Sequence, residues 1–63
     1  MFEIYEVPND ELDGTEELLE EVNNDKTKAL EIARDYRNST CIQNSVWLVQ
    51  VSDENGYEKV IST

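Results

Sequence analysis

The sequence predicts a small α+β fold, and three observations lead to this prediction. Residues 2–7 have the alternating pattern of a β-strand, and residues 45–61 contain two apolar segments separated by a turn-forming Asp-Glu-Asn-Gly run. Residues 26–37 carry apolar side chains at helical spacing. A chain of 63 residues makes one domain at most. The prediction is a single acidic domain, residues 1–63, with a three-stranded sheet in β-α-α-β-β order and one or two helices on one face.

The first strand is predicted from the alternation of residues 2–7. Phe2 and Ile4 share one side of the strand, and the residues between them point to the other side. Pro8 has no amide hydrogen to donate and ends the strand. Residues 9–14 are polar and rich in turn-forming types, which predicts a loop.

A short helix is predicted next, over roughly residues 15–22. Asp13 and Glu16 have the spacing of a capping pair, and Thr15 is an alternative cap. The apolar stripe of this helix is narrow and consists of Leu18, Leu19 and Val22. The adjacent asparagines at 23 and 24 are expected to interrupt the helix.

A second helix is predicted over about residues 26–37, with Asp25 or Asn24 as its N-cap. Its cationic side chains Arg34 and Arg37 lie in the last turns, where they interact favourably with the helix dipole. The core-facing side chains are expected to be Ala29, Ile32, Ala33 and Tyr36.

The last two strands are predicted to form a hairpin. Val46 to Val49 reads as a strand that is buried on both faces, with Trp47 in the core. The turn leaves two alternatives open: a two-residue type I′ turn at Asn55-Gly56, or a type I turn with a bulge starting at Asp53. The tyrosines are candidates for the rim of an interface, where tyrosine is enriched.

Negative charge is concentrated at the start of the chain. The first 25 residues contain ten acidic residues and no Lys or Arg, and the remaining 38 contain five of each sign, so the formal charge of −10 belongs to the N-terminal part. A charge asymmetry of this kind attracts a cationic partner. The ten acidic residues are Glu3, Glu6, Asp10, Glu11, Asp13, Glu16, Glu17, Glu20, Glu21 and Asp25.

The densest part of this acidic segment is the candidate partner-binding site. On the predicted helix, carboxylates four residues apart would repel each other by a few tenths of a kcal/mol per pair, so a helix that keeps them suggests a function. Rows of carboxylates approach the charge density of a nucleic-acid backbone, and would fit the basic groove of a nucleic-acid-binding protein. The candidate residues are Asp10, Glu11, Asp13, Glu16, Glu17, Glu20 and Glu21.

Other functional classes are disfavoured by composition. The chain has no His and a single cysteine, Cys41, so neither nucleophile–base catalysis nor a His/Cys metal site is expected. Residues 9–20 can be aligned with a calcium-binding EF-hand loop, but the alignment starts with Asn9 and follows a strand instead of a helix. We therefore expect no enzyme activity, no cofactor and no metal.

Direct binding to nucleic acid is not expected either, because only five basic residues are present. No apolar run approaches the roughly 20 residues of a membrane span, and the acidic N-terminus does not have the pattern of a signal peptide. The cytoplasm is the expected location.

In size and charge the chain resembles the small acidic inhibitor proteins of bacteriophages, some of which are DNA mimics. The resemblance implies a phage-encoded inhibitor that blocks a basic host or cellular protein. The alternative is a small structural or assembly module in which acidity serves solubility. Such a module would form a homodimer through an exposed sheet edge.

Overall fold

The computed structural model describes residues 1–54 and 56–63. In chain order, its elements are β1 (Phe2–Pro8), β2 (Glu17–Val22), α1 (Lys26–Ser39), β3 (Asn44–Ser52) and β4 (Gly56–Ser62). The strands form one sheet in the spatial order β2-β1-β3-β4, and all neighbouring pairs are antiparallel. The prediction of a three-stranded sheet in β-α-α-β-β order is therefore wrong: the fold is a four-stranded antiparallel sheet with one helix.

The hydrophobic core lies between α1 and one face of the sheet. Strand alternation directs every second side chain of β1 and β3 toward the helix, and the two alanines of α1 allow it to approach the sheet closely. Leu19, Leu30 and Ile32 pack around this centre. The buried members of the core cluster are Phe2, Ile4, Val22, Ala29, Ala33, Val46 and Leu48.

The predicted helix over residues 15–22 is wrong, because residues 17–22 form strand β2. As a helix, this segment would bury only a narrow apolar stripe and would place acidic side chains at the negative end of the helix dipole. As a strand, it pairs its backbone with β1 and places Val22 opposite Phe2 in the core. A bulge between Ile4 and Tyr5 shifts the register, and tertiary pairing outweighs the local helical pattern.

The second predicted helix is confirmed as α1, with Asp25 as its N-cap. The Asp25 side chain accepts a hydrogen bond from the backbone amide of Lys28. Near the other end, the Arg37 guanidinium donates to the backbone carbonyls of Thr40, Cys41, Asn44 and Thr63. Arg37 thus ties the end of the helix to the start of β3 and to the C-terminal residue.

The β3–β4 hairpin does not use the two-residue turn at Asn55-Gly56. That turn would place Tyr57 opposite Glu54, whereas Tyr57 pairs with Val51 and Ser52 pairs with Gly56. Gly56 has a φ of 68°, in the left-handed region that favours glycine. Asn55 itself lies outside the described residues.

Candidate partner-binding surface

The acidic half of the chain and most of the basic residues belong to different elements, although Lys28 of α1 lines a pocket together with Glu20 and Glu21 of β2. β1, the loop of residues 9–16 and β2 contain nine of the ten N-terminal acidic residues, and β2 is an outer strand of the sheet. Four of the five basic residues belong to α1, which covers one face. We call residues 9–22, which comprise this loop and β2, the acidic edge.

Strand geometry divides the carboxylates of β2 between the two faces of the sheet. Glu21 lies opposite Glu3, and both are on the face away from α1. Glu20 lies on the helix side, where it accepts a hydrogen bond of 2.9 Å from the Tyr36 hydroxyl. Glu17 pairs with Glu6 and is exposed. The predicted helical rows of carboxylates are therefore absent, and like-charged residues face each other across two strands.

The remaining predicted site residues lie in the loop before β2. Asp13 caps its own turn: its carboxylate accepts from the Thr15 hydroxyl and from the Thr15 backbone amide, and these bonds lower the pKa of the Asp13 carboxyl. Glu16 accepts from the backbone amide of Gly14 at 3.0 Å. Glu11 is exposed. The loop is thus ordered partly by its own carboxylates.

Asp10 fastens this loop to the end of the sheet. Its Oδ1 accepts from the indole Nε1–H of Trp47 at 2.7 Å and from the Ser62 hydroxyl at 2.9 Å. These hydrogen bonds, with another from Ser45 and the charge of Lys59, hold the pKa of the Asp10 carboxyl below its usual value. Asp10 is exposed, but its carboxylate accepts hydrogen bonds that hold the loop against the sheet.

The backbone at Asn9 and Asp10 is shaped for this contact. Both residues have positive φ, 55° and 57°. The amide of Glu11 donates to the carbonyl of Pro8 at 3.2 Å, so Asn9 and Asp10 are the two central residues of a tight turn of the type I′ class. Asn and Asp tolerate the left-handed region better than other residues with a Cβ. The turn sends residues 11–16 back along the sheet.

The side of the sheet away from α1 carries aromatic residues, and we call it the open face. Its β1 and β3 side chains include Tyr5 directly opposite Trp47, with Glu3 opposite Val49. On β4, Tyr57 and Lys59 point to the same side. Trp47 was expected in the core, but it is only partly buried and lies on this face.

A groove of about 500 Å³ runs along the open face beside the acidic loop. Its floor is the sheet, and Leu12 and Glu16 form the side contributed by the loop. The Lys59 ammonium lies 4.3 Å from the centre of the Trp47 ring, in a cation–π contact. The residues that line the groove are Tyr5, Leu12, Glu16, Trp47, Val49, Tyr57 and Lys59.

Carboxylates also border the phenol of Tyr5 within the groove. The Tyr5 hydroxyl donates to Glu3 Oε1 at 2.7 Å. This hydrogen bond, burial, and the negative charges of Glu3 and Glu16 raise the pKa of Tyr5 to about 12. The groove is therefore apolar along its floor and negative along its border.

The acidic residues were predictable from the sequence, but the assembly of the groove was not. The signals were present, because Trp47, Val49 and Val51 alternate on one strand face and Tyr57 follows the turn. The three residues of this strand face were assigned to the core and Tyr57 to the rim of an interface, so the groove was not predicted. The contact between Asp10 and Trp47 joins residues 37 positions apart and has no local sequence signature.

The described residues contain no cluster of three or more His, Cys, Asp or Glu side chains that could hold a metal ion. In particular, the EF-hand alignment places Glu20 at the last ligand position, and the structure places this side chain on Tyr36. Within the part of the chain that the structure describes, no helix has the length and apolar character needed to cross a membrane.

Comparison with protein-family models, with curated proteins and with solved structures found no match.

Proposed function

We propose that this chain is a non-enzymatic binding protein that docks its acidic edge on a basic surface of a partner protein and thereby blocks that surface. The observation that carries the proposal is the distribution of charge: β2 forms one edge of the sheet, the acidic loop before it borders the open face, and four of the five basic residues lie on α1. A one-sided negative potential orients a cationic partner and speeds its association.

The hydrogen bonds of the loop support a preorganised surface. Asp10, Asp13 and Glu16 each accept hydrogen bonds from neighbouring groups, so the loop does not have to be ordered when a partner binds. Glu11, Glu17 and Glu21 are exposed and are the side chains that a partner would contact. Preorganisation lowers the entropic cost of association.

A nucleic-acid-binding surface is the class of target that suits this edge best, because such surfaces are built to neutralise closely spaced phosphates. The carboxylates that imitate phosphates in this proposal are cross-strand pairs at the β2 edge, Glu3 with Glu21 on the open face and Glu6 with Glu17 on the helix side. Residues directly opposite in an antiparallel pair have Cβ atoms about 4.5–5.5 Å apart. An inhibitor of the kind encoded by phages is the corresponding biological role.

Capture followed by titration tests the proposal. The immobilised chain is exposed to an extract at low salt, bound protein is eluted with a salt gradient, and the affinity of the purified partner is then measured at several ionic strengths. We expect a basic partner whose affinity falls steeply with salt. An affinity that does not change with ionic strength would overturn the proposal.

Self-association is the second candidate, and β4 favours it. This strand forms the edge of the sheet opposite β2, and its charges balance, with Glu58 next to Lys59. Repulsion between two copies is therefore weakest at this edge. Sedimentation at two concentrations distinguishes the candidates, because a dimer that persists at the lower concentration supports self-association.

A further inference from the structure

We propose that the groove on the open face is the specificity site of this binding protein, and that its occupant is an arginine side chain from an extended cationic segment of the partner. This inference rests on the proposed function and adds a second contact to it. The acidic edge supplies long-range attraction, and the groove supplies a short-range contact that selects arginine.

The groove has the size and lining of a side-chain pocket. Its volume of about 500 Å³ lies within the range of about 300–1,000 Å³ typical of ligand sites. Tyr5, Trp47 and Tyr57 present aromatic rings, and Tyr57 is 68% exposed. Planar guanidinium groups stack on aromatic rings, so this lining suits arginine better than the compact ammonium of lysine.

Charge complementarity identifies the occupant as a cation. Glu16 lines the groove, Glu3 accepts from the Tyr5 hydroxyl at its border, and Glu21 lies opposite Glu3 on the same side of the sheet. Against these carboxylates stands one ammonium, that of Lys59. A carboxylate beside an aromatic ring allows one guanidinium to stack on the ring and to donate ionic hydrogen bonds to the carboxylate at the same time.

The chain already places a cation on this aromatic surface. Lys59 lies over the Trp47 ring, which demonstrates that the ring face is accessible to a cationic group. A second copy of the chain is a poor occupant, because each copy carries a net charge of −10 and the groove border is itself negative. A nucleic acid would be repelled by the same charges.

Two peptides of equal charge test the inference: an arginine hexapeptide and a lysine hexapeptide, both with blocked ends. Wild-type protein is expected to bind the arginine peptide more tightly. Tyr57→Ser is expected to weaken arginine binding about two- to five-fold and to remove most of the preference over lysine. The control Ile42→Ser changes an apolar side chain that is 92% exposed in the loop before β3, and is expected to change nothing.

A variant that binds the arginine peptide more tightly provides a second test, because misfolding would lower the affinity and not raise it. Lys59→Gln removes the ammonium that competes for Trp47, and is expected to bind the arginine peptide at least about two-fold more tightly. Lys26→Gln makes the same change in net charge at the start of α1 and is expected to have a smaller effect. Equal gains in the two variants would show that net charge alone acts, and would overturn the inference.

The outcomes separate this inference from the proposed function. If Tyr57→Ser binds both peptides as wild type does and binding remains salt-sensitive, the groove inference fails and the acidic edge stands. If neither peptide binds at low salt, both fail. If sedimentation shows a dimer that Tyr57→Ser dissociates, the occupant is a second copy and the inference is overturned.

Discussion

The pairing of Glu3 with Glu21 across β1 and β2 predicts a measurable repulsion. The two side chains are directly opposite on the open face. With charges about 6 Å apart in a water-like dielectric, Coulomb's law gives about 0.7 kcal/mol of repulsion. Screening with a Debye length of about 8 Å at physiological salt reduces this to about 0.3 kcal/mol, and at 0.01 M salt roughly 0.6 kcal/mol remains.

A double-mutant cycle isolates this energy. Glu3→Gln, Glu21→Gln and the double variant are unfolded thermally at low salt, followed by circular dichroism. Glutamine keeps an oxygen that can accept from the Tyr5 hydroxyl, so the Glu3 contact survives the substitution. The coupling of roughly 0.6 kcal/mol corresponds to a non-additivity of about 2–5 °C in Tm for a domain of this size.

The control pair is Glu17 and Glu21, which would be neighbours on a helix. In β2 they are four strand residues apart, about 13 Å, so we expect coupling near zero. On a helix their Cβ atoms would be about 5–6 Å apart and would couple by about 0.2–0.5 kcal/mol. Coupling of Glu17 with Glu21, together with none between Glu3 and Glu21, would refute the strand pairing.

Three further predictions concern the core, the loop and the groove. Leu48→Ala should lower the free energy of unfolding in urea by about 2–5 kcal/mol, because Leu48 is fully buried, whereas a small change would contradict the core assignment. Folding lowers the pKa of the Asp10 carboxyl, so the stability that Asp10 contributes is present above its ordinary pKa and is lost as pH falls. Asp10→Asn should therefore flatten the acid limb of the Trp47 fluorescence titration. An unchanged acid limb would contradict the contact between Asp10 and Trp47. Folding raises the pKa of Tyr5 to about 12, so its contribution to stability is complete below pH of about 10 and is lost as pH rises toward 12. Tyr5→Phe should reduce the late phase of the tyrosinate absorbance titration to the contribution of Tyr36, whose pKa is also raised by its hydrogen bond to Glu20. A late phase of unchanged amplitude would contradict the contact between Tyr5 and Glu3.

Helix α1 and strands β1, β3 and β4 were predictable because each depends on local patterns. α1 has apolar residues at helical spacing and a capping Asp25. The hairpin of β3 and β4 has two apolar segments around a turn-forming run. These signals lie within a few residues of one another and do not depend on the rest of the fold.

β2 and the groove were not predictable in the same way. Residues 17–22 have helical spacing of Leu18 with Val22, and only the pairing with β1 makes them a strand. The apolar run from Val46 to Val49 predicted a strand buried on both faces, and Trp47 was therefore assigned to the core. The acidic residues were found from composition alone. Their division between the two faces of the sheet depends on the pairing register of β1 with β2, which cannot be read from the sequence.

Two triple variants with the same net charge test whether the acidic edge, and not the overall charge, attracts the partner. The acidic-edge variant combines Glu11→Gln, Glu17→Gln and Glu21→Gln. The far-side variant neutralises the β3–β4 hairpin with Asp53→Asn, Glu54→Gln and Glu58→Gln. Each variant changes the net charge from −10 by three, to −7. The outer strands are three strand spacings apart, about 14 Å, which exceeds the Debye length of about 8 Å at physiological salt.

Affinity for the purified basic partner at physiological ionic strength, measured by calorimetry, is the deciding quantity. We expect the acidic-edge variant to lose most of its binding and the far-side variant to bind nearly as wild type does. Equal losses in the two variants would show that the partner responds to net charge and not to the acidic edge, and would overturn the proposed function.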